Sequence, residues 1–226
     1  GELTDDLLVS VRFDRASARL AGRLVDDRLM VNTPGTIAAH LDRERLSASL
    51  NKWTGAAESK APGMQWTAIE GSDIRATIRS LSLPLAALSG EAFDPAQLAV
   101  DADFVAPRIA LKQGATDFAL TDTALKVSGK SLADGLRAQL TSATLAGAAQ
   151  SAGTVDLNGL VTAASSDPAD RRYNVSGNLK GVPVAIVDAI AQLEGRLVAA
   201  IGPAMDMTLG IADAHANGGT VSASIT

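Results

Sequence analysis

The sequence predicts a mainly β protein, in which a long antiparallel meander of amphipathic strands surrounds an apolar interior and carries short helical insertions. Alternation of apolar and polar residues with period two recurs along the 226 residues, as in half-buried strands. Only 3 % of the residues are aromatic, so small aliphatic side chains must fill a thin core. One long segment near 184–201 has helical spacing instead.

The first forty residues predict a small meander. Apolar residues from Leu7 to Phe13 alternate with polar ones, and a similar pattern follows at 20–24. Asp26-Asp27 is a predicted turn before a return strand at 29–32, and Asn32 to Gly35 predicts a further turn because it contains Pro34. Asp42 is a candidate cap for a short helix that carries Leu46 and Leu50.

The middle of the chain predicts closely spaced antiparallel neighbours. Alternation begins at Leu98 and extends to Val105, and further short strands are expected near 109–111, 118–120, 125–127 and 136–140. Strands are also expected near Val155 and between Val175 and Leu179. Asp167-Pro168 is the expected tip of the loop that joins them.

A helical stripe follows Pro183. Gly195 interrupts the stripe and is expected to weaken the helix or to split it in two. The helix either packs over an open end or edge of the sheet, or its apolar face lines a lipid-sized groove. The stripe consists of Ile186, Ile190, Leu193, Leu197 and Ile201.

A weak internal repeat predicts two modules. Leu83-Pro84-Leu85-Ala86 resembles Val182-Pro183-Val184-Ala185, and each of the two steps is followed by an Ala- and Leu-rich connection and a new strand. We therefore expect two β modules. The first covers residues 1–94 and contains a short helical insertion. The second covers residues 95–226 and has its helical insertion at 184–201. One continuous β domain is the alternative.

Composition and motifs argue against catalysis. Hydrophobic residues at 46 % indicate a folded chain, and the net charge of −5 argues against nucleic acid as a partner. No nucleotide-binding, hydrolase or calcium motif is present, and His40 and His215 lack metal-ligand spacing. We predict no enzyme activity, no catalytic residue, no metal and no cofactor.

Two groups of charged residues have a functional alternative. Asp101 with Asp103, and the cluster at 167–172, have residue types suited to ion binding or acid–base chemistry. Alternating aspartates are also the ordinary solvent face of a strand, and mixed charge is ordinary in a loop. The ordinary interpretation is favoured for both.

The segment Gly177 to Gly202, followed by Met205-Asp206-Met207, resembles the strand, proline, helix, glycine and strand unit of the AsmA-like group of large bacterial envelope proteins. The earlier Leu83-Pro84 step resembles the same unit. The resemblance implies a β-taco, a curved and taco-like sheet with an apolar groove. It is found in proteins that are tied to the inner membrane, reach across the periplasm and serve phospholipid movement and outer-membrane biogenesis. It implies a periplasmic or cell-envelope location.

The chain begins at Gly1 without a leader pattern, so a membrane anchor is expected in segments outside this sequence. The expected partner is a phospholipid or another lipid with acyl chains, because alternating aliphatic residues offer no specific hydrogen bonds. A structural or adhesive β module of a bacterial cell surface is the alternative function. The predicted groove residues are Leu98, Val100, Phe104, Val155, Leu157, Val175, Leu179, Met205, Met207 and Leu209.

Overall fold

The computed structural model describes residues 5–13, 15–53, 65–113, 116–146, 149–190, 193, 195–215 and 218–226. These residues form twelve strands and four short helices, together with single 3₁₀ turns at Pro95–Gln97 and Pro168–Asp170. The strands are β1 (Asp5–Phe13), β2 (Ala16–Val25), β3 (Arg28–Leu41), β4 (Thr67–Ala68), β5 (Ser72–Pro84), β6 (Ala99–Gln113), β7 (Thr116–Gly129), β8 (Leu136–Ala146), β9 (Ala149–Ala163), β10 (Arg171–Pro183), β11 (Ala204–His215) and β12 (Gly218–Ile225). The helices are α1 (Arg43–Trp53), α2 (Leu85–Ser89), α3 (Val184–Ile190) and α4 (Arg196–Ile201).

All twelve strands belong to one open antiparallel sheet. Strand order follows chain order from β1 to β12, except that the two-residue β4 pairs with β6. The predicted mainly β fold, a curved sheet built as a meander, is confirmed. The sheet is continuous across position 94, where a module boundary was predicted, because β5 and β6 are hydrogen-bonded neighbours.

Cross-strand register divides the sheet into two chemically different faces. Residues that face each other across a strand pair lie on the same side of the sheet. The side that we call the apolar face carries the row Ile37, Ala76, Phe104, Leu125, Leu140, Leu157, Gly177, Leu209 and Ala223. The opposite side, the polar face, carries the row Thr77, Asp103, Lys126, Gln139, Asn158, Ser176, Gly210 and Ser222.

The strands predicted at 109–111, 118–120 and 125–127 are not separate elements. The structure merges them into β6 and β7, which pair continuously past Pro107, between the pairs Ala106–Thr123 and Arg108–Thr121. Asp122, opposite Pro107, has a left-handed φ of 51°. At this irregularity the phase of alternation changes, so that Ala106 and then Ile109 lie on the apolar face. When the apolar–polar alternation changes phase within one strand, the sequence pattern resembles two separate strands.

The turn predicted from Asn32 to Gly35 is wrong. The chain continues through this segment as part of β3, and the pairing with β5 shifts between Val31 and Gly35. Pro34 cannot donate to the ladder and is tolerated at such an irregularity. Gly35 is required by close packing, since a Cβ there would lie 2.7 Å from the Arg19 carbonyl oxygen. By contrast, the turn at Asp26-Asp27 is confirmed, with φ of 49° and 57°.

One end of the sheet has a compact apolar cluster, which we call the end cluster. Leu46 of α1 and Ile186 of α3 pack there against strand ends, and Trp66 meets Phe118 edge to face with ring centroids 5.7 Å apart. The predicted short helix is confirmed as α1, and Asp42 Oδ1 accepts a hydrogen bond from Arg45 N at 2.9 Å. The buried members are Leu46, Ala68, Leu111, Phe118, Ala146, Val182 and Ile186.

The helix predicted near 184–201 forms as two short helices. Gly195 is the residue directly before α4 and has a left-handed φ of 84°, a conformation that glycine adopts without strain. Both apolar-Pro-apolar steps are strand-to-helix transitions: β5 ends at Pro84 before α2, and β10 ends at Pro183 before α3. The two halves of the internal repeat therefore share a local structure.

Candidate functional site

The candidate site is the apolar face between β5 and β12, where several large apolar side chains remain accessible. Most of its central side chains are half-buried or exposed, with Phe104 at 37 % and Val221 at 70 % of full exposure, while Ala76 and Ala102 are buried. A second apolar row runs beside the first and consists of Ile78, Ala102, Val127, Ala138, Gly159, Val175, Ile211 and Val221. The two rows together contain one aromatic residue, Phe104, and no hydrogen-bonding side chain.

The structure brings most of the predicted groove residues to this face. Nine share it by register: Val100, Phe104, Val155, Leu157, Val175, Leu179, Met205, Met207 and Leu209. Leu98 does not belong to the sheet and lies between the 3₁₀ turn and β6, where its N–H donates to the Pro95 carbonyl. Met205 is buried near the end cluster, opposite Val182, while Leu157 and Leu209 lie in the open central part.

The predicted helical stripe separates into two parts. Ile186 is buried in the end cluster and thereby covers one end of the sheet. Leu197 is half-buried, and Leu193 and Ile201 are exposed. Ile190 is the last residue of α3, and its side chain lies outside the described part of the chain.

A buried carboxylate organises the two short helices. Asp188, in α3, is 5 % exposed. Its carboxylate accepts hydrogen bonds from Gly195 N and, at 3.0 Å, from Leu197 N, which are donors at the start of α4. In the sequence Asp188 only interrupts an apolar segment, and its capping role depends on the fold.

The surface area reflects the single-layer architecture. The chain exposes 13752 Å². A compact monomer of this mass would expose roughly 9,700 Å² by the usual scaling of surface with mass. The excess is the expected result when one face of a sheet has no second layer.

The polar face holds ion pairs and a cavity. Arg79 donates to Asp101 at 2.7 Å and to Asp103, and both bonds raise the pKa of the Arg79 guanidinium. Near the other edge Arg172 donates to Asp213 at 2.6 Å, which lowers the pKa of the Asp213 carboxyl.

A cavity of about 630 Å³ spans β7 to β12 on this face. Sequence reasoning missed the cavity, since no motif marks it.

The described residues do not assemble a metal centre, because no group of three or more His, Asp or Glu side chains converges among them. His40 Nδ1 lies 2.9 Å from Asp73 Oδ1, and His215 Nδ1 donates to the Asp213 carbonyl. In the 167–172 cluster, Asp167 Oδ1 accepts from Ala169 N within the loop. Among the helices of the described chain, none combines the length and hydropathy needed to cross a bilayer.

Comparison with protein-family models, with curated proteins and with solved structures finds no match to this chain.

Proposed function

We propose that the apolar face binds the acyl chains of phospholipids or related lipids, as a segment of an AsmA-like envelope protein that takes part in phospholipid movement or outer-membrane biogenesis. The observation that carries the proposal is the row of apolar residues that continues without a polar residue from Ile37 in β3 to Ala223 in β12, with all of them except Ala76 and Gly177 partly exposed. The envelope location and the family rest on the sequence resemblance.

The dimensions of the face suit an acyl chain. The row from Ile37 to Ala223 crosses nine paired strands, and eight spacings of about 4.8 Å give a length of about 38 Å. One leaflet of a bilayer holds acyl chains of about 15 Å, half of a hydrocarbon core of about 30 Å. A lipid tail laid across the strands would therefore contact aliphatic side chains along its whole length.

The composition of the face favours lipid over a protein partner. Protein interface cores are enriched in aromatic residues, Met and Arg, which provide anchors and directional bonds. The two central rows instead consist of Ala, Val, Leu, Ile and Gly with Phe104 alone as an aromatic. Such a surface gives nonspecific apolar contact, which lets a tail slide because no hydrogen bond fixes its position.

A matched pair of substitutions tests the proposal. Phe104 and Val105 are neighbours in β6 on opposite faces and are similarly exposed, at 37 % and 42 %. Phe104→Gln should weaken binding of a fluorescent phospholipid by about tenfold, through lost apolar contact, and should slow its transfer between vesicles. Val105→Gln should leave both unchanged.

Mass spectrometry of protein purified without detergent should also detect phospholipid. A delipidated protein that neither binds nor transfers the fluorescent lipid would contradict the proposal. In that case a second protein layer packs against the apolar face, as expected for a structural or adhesive module.

A further inference from the structure

The lining of the cavity on the polar face is positively charged, although the chain as a whole carries a net negative charge. Its lining includes Lys126 and Arg137 and contains no Asp or Glu, although the whole chain has a net charge of −5. The two cationic residues lie on adjacent strands, where Lys126 pairs with Gln139 and Arg137 with Ser128. Cross-strand diagonal neighbours of this kind lie close enough for both cations to contact one anionic group.

Three carboxylates of neighbouring segments accept hydrogen bonds from other residues, although Asp103 also lies directly opposite Lys126 in the β6–β7 register. Asp101 and Asp103 both accept hydrogen bonds from Arg79 on β5, and Asp134 accepts one from Ser131 at 2.7 Å. Lys126 and Arg137 form no ion pair with a described residue. Because an unpaired cation at the side of a cavity attracts an anion, this end of the cavity favours a carboxylate, phosphate or sulfate group.

The rest of the cavity offers amides and hydroxyls. Asn174 Oδ1 accepts from Asp213 N at 3.0 Å, so its amide nitrogen is the group available for donation. Asn158 Nδ2 donates to Asp156, so its oxygen is the group available to accept. Ser176 lies between them, and the small residues Gly210 and Ala212 leave space above the strands. Five strand spacings of about 4.8 Å give the cavity a length of about 24 Å.

We propose that this cavity binds an extended acidic saccharide, with the acidic group held by Lys126 and Arg137 and the hydroxyls held by the amide side chains. A peptide is less suited, because peptides pair through backbone groups at sheet edges, whereas here the backbone groups are used within the sheet. The lining has no aromatic residue, so charge has to supply the affinity that ring stacking supplies to neutral sugars.

The test uses isothermal titration of the purified chain with tetragalacturonate, maltotetraose and inorganic phosphate. Tetragalacturonate should bind in a salt-sensitive manner, and the other two should bind more weakly or undetectably. Arg137→Gln should weaken tetragalacturonate binding by about fivefold or more. Lys180→Gln removes the same charge from the same face outside the cavity and should leave the affinity within about twofold.

Ser176→Leu should block the middle of the cavity and abolish binding, while thermal unfolding followed by circular dichroism establishes that each variant is folded. The proposal is overturned if the Arg137 and Lys180 variants lose affinity equally, if maltotetraose binds as well as tetragalacturonate, or if none binds. Phosphate binding as tight as tetragalacturonate would show an anion site without saccharide recognition. Lipid binding at the apolar face is measured separately, so either proposal can fail alone.

Discussion

At the scale of single residues, all of the left-handed positions outside glycine in the described chain are aspartates. They are Asp26, Asp27, Asp122 and Asp213. Aspartate tolerates this region better than most residues, since its short side chain bonds locally. Two of these residues form the β2–β3 turn, and the other two lie at irregularities where the strands change phase.

Asp27→Gly should stabilise the protein by a few tenths to about 1 kcal/mol. Glycine adopts positive φ without the Cβ conflict, and a two-residue hairpin turn of this type favours it. The Asp27 carbonyl, which accepts from Leu85 N at 2.9 Å, is retained. Chemical denaturation measures the change. Asp117→Gly, within the strand β7, is the control and should destabilise, and a loss of stability in both variants would contradict the turn assignment.

Asp213 provides a prediction for pH. Because Arg172 lowers the pKa of Asp213 in the folded chain, the ion pair stabilises the fold above the ordinary aspartate pKa and is lost as pH falls through the lowered value. The free energy of unfolding of Asp213→Asn should therefore be slightly below wild type at neutral pH. The difference should vanish well below about pH 3.9.

The matched control is Asp122→Asn, which changes another left-handed aspartate that forms no ion pair with a described residue. The difference in free energy of unfolding between Asp122→Asn and wild type should not show the pH dependence expected for Asp213→Asn. Equal pH dependence in the two variants would show that Arg172 is not the cause.

At the scale of elements, the connection of α3 to α4 depends on one side chain. Asp188→Ala should cost about 1–3 kcal/mol in the free energy of unfolding, because it leaves the N–H groups of Gly195 and Leu197 without their acceptor. Denaturant titration gives the value.

Asp188→Asn keeps one acceptor oxygen and should cost less than the alanine variant. Asp206→Ala is a second control, since the exposed Asp206 accepts from Gly181 N where water can replace it, and it should cost under about 1 kcal/mol. Equal losses in all three variants would contradict a capping role for Asp188.

Strands and helix starts were predictable where a local signal decides them. Alternation located the strands, Asp42 located the start of α1, and Gly195 divided the last helical segment. The irregularity at Pro107 and Asp122 was not predictable, because it depends on the pairing of two strands. The turn predicted around Pro34 failed for a related reason: local residue types also fit a strand irregularity that pairing with β2 and β5 stabilises.

At the scale of the whole molecule, the shared face of nine predicted groove residues followed from alternation, since period two places every second residue on one side. Leu98 lies just before β6, because alternation does not show at which residue a strand begins. The cavity around Lys126 and Arg137 was hidden because its residues come from six strands. Only the assembled register brings them together.

Each strand of the main path pairs with the strands that neighbour it in the sequence, apart from the small excursion through α1 and β4. An insertion or loss of one hairpin at an edge would therefore leave the remaining pairings intact. Each added hairpin would extend the apolar face by about 10 Å, twice the inter-strand spacing. The length of the apolar face therefore changes in fixed steps, because the sheet gains or loses whole hairpins.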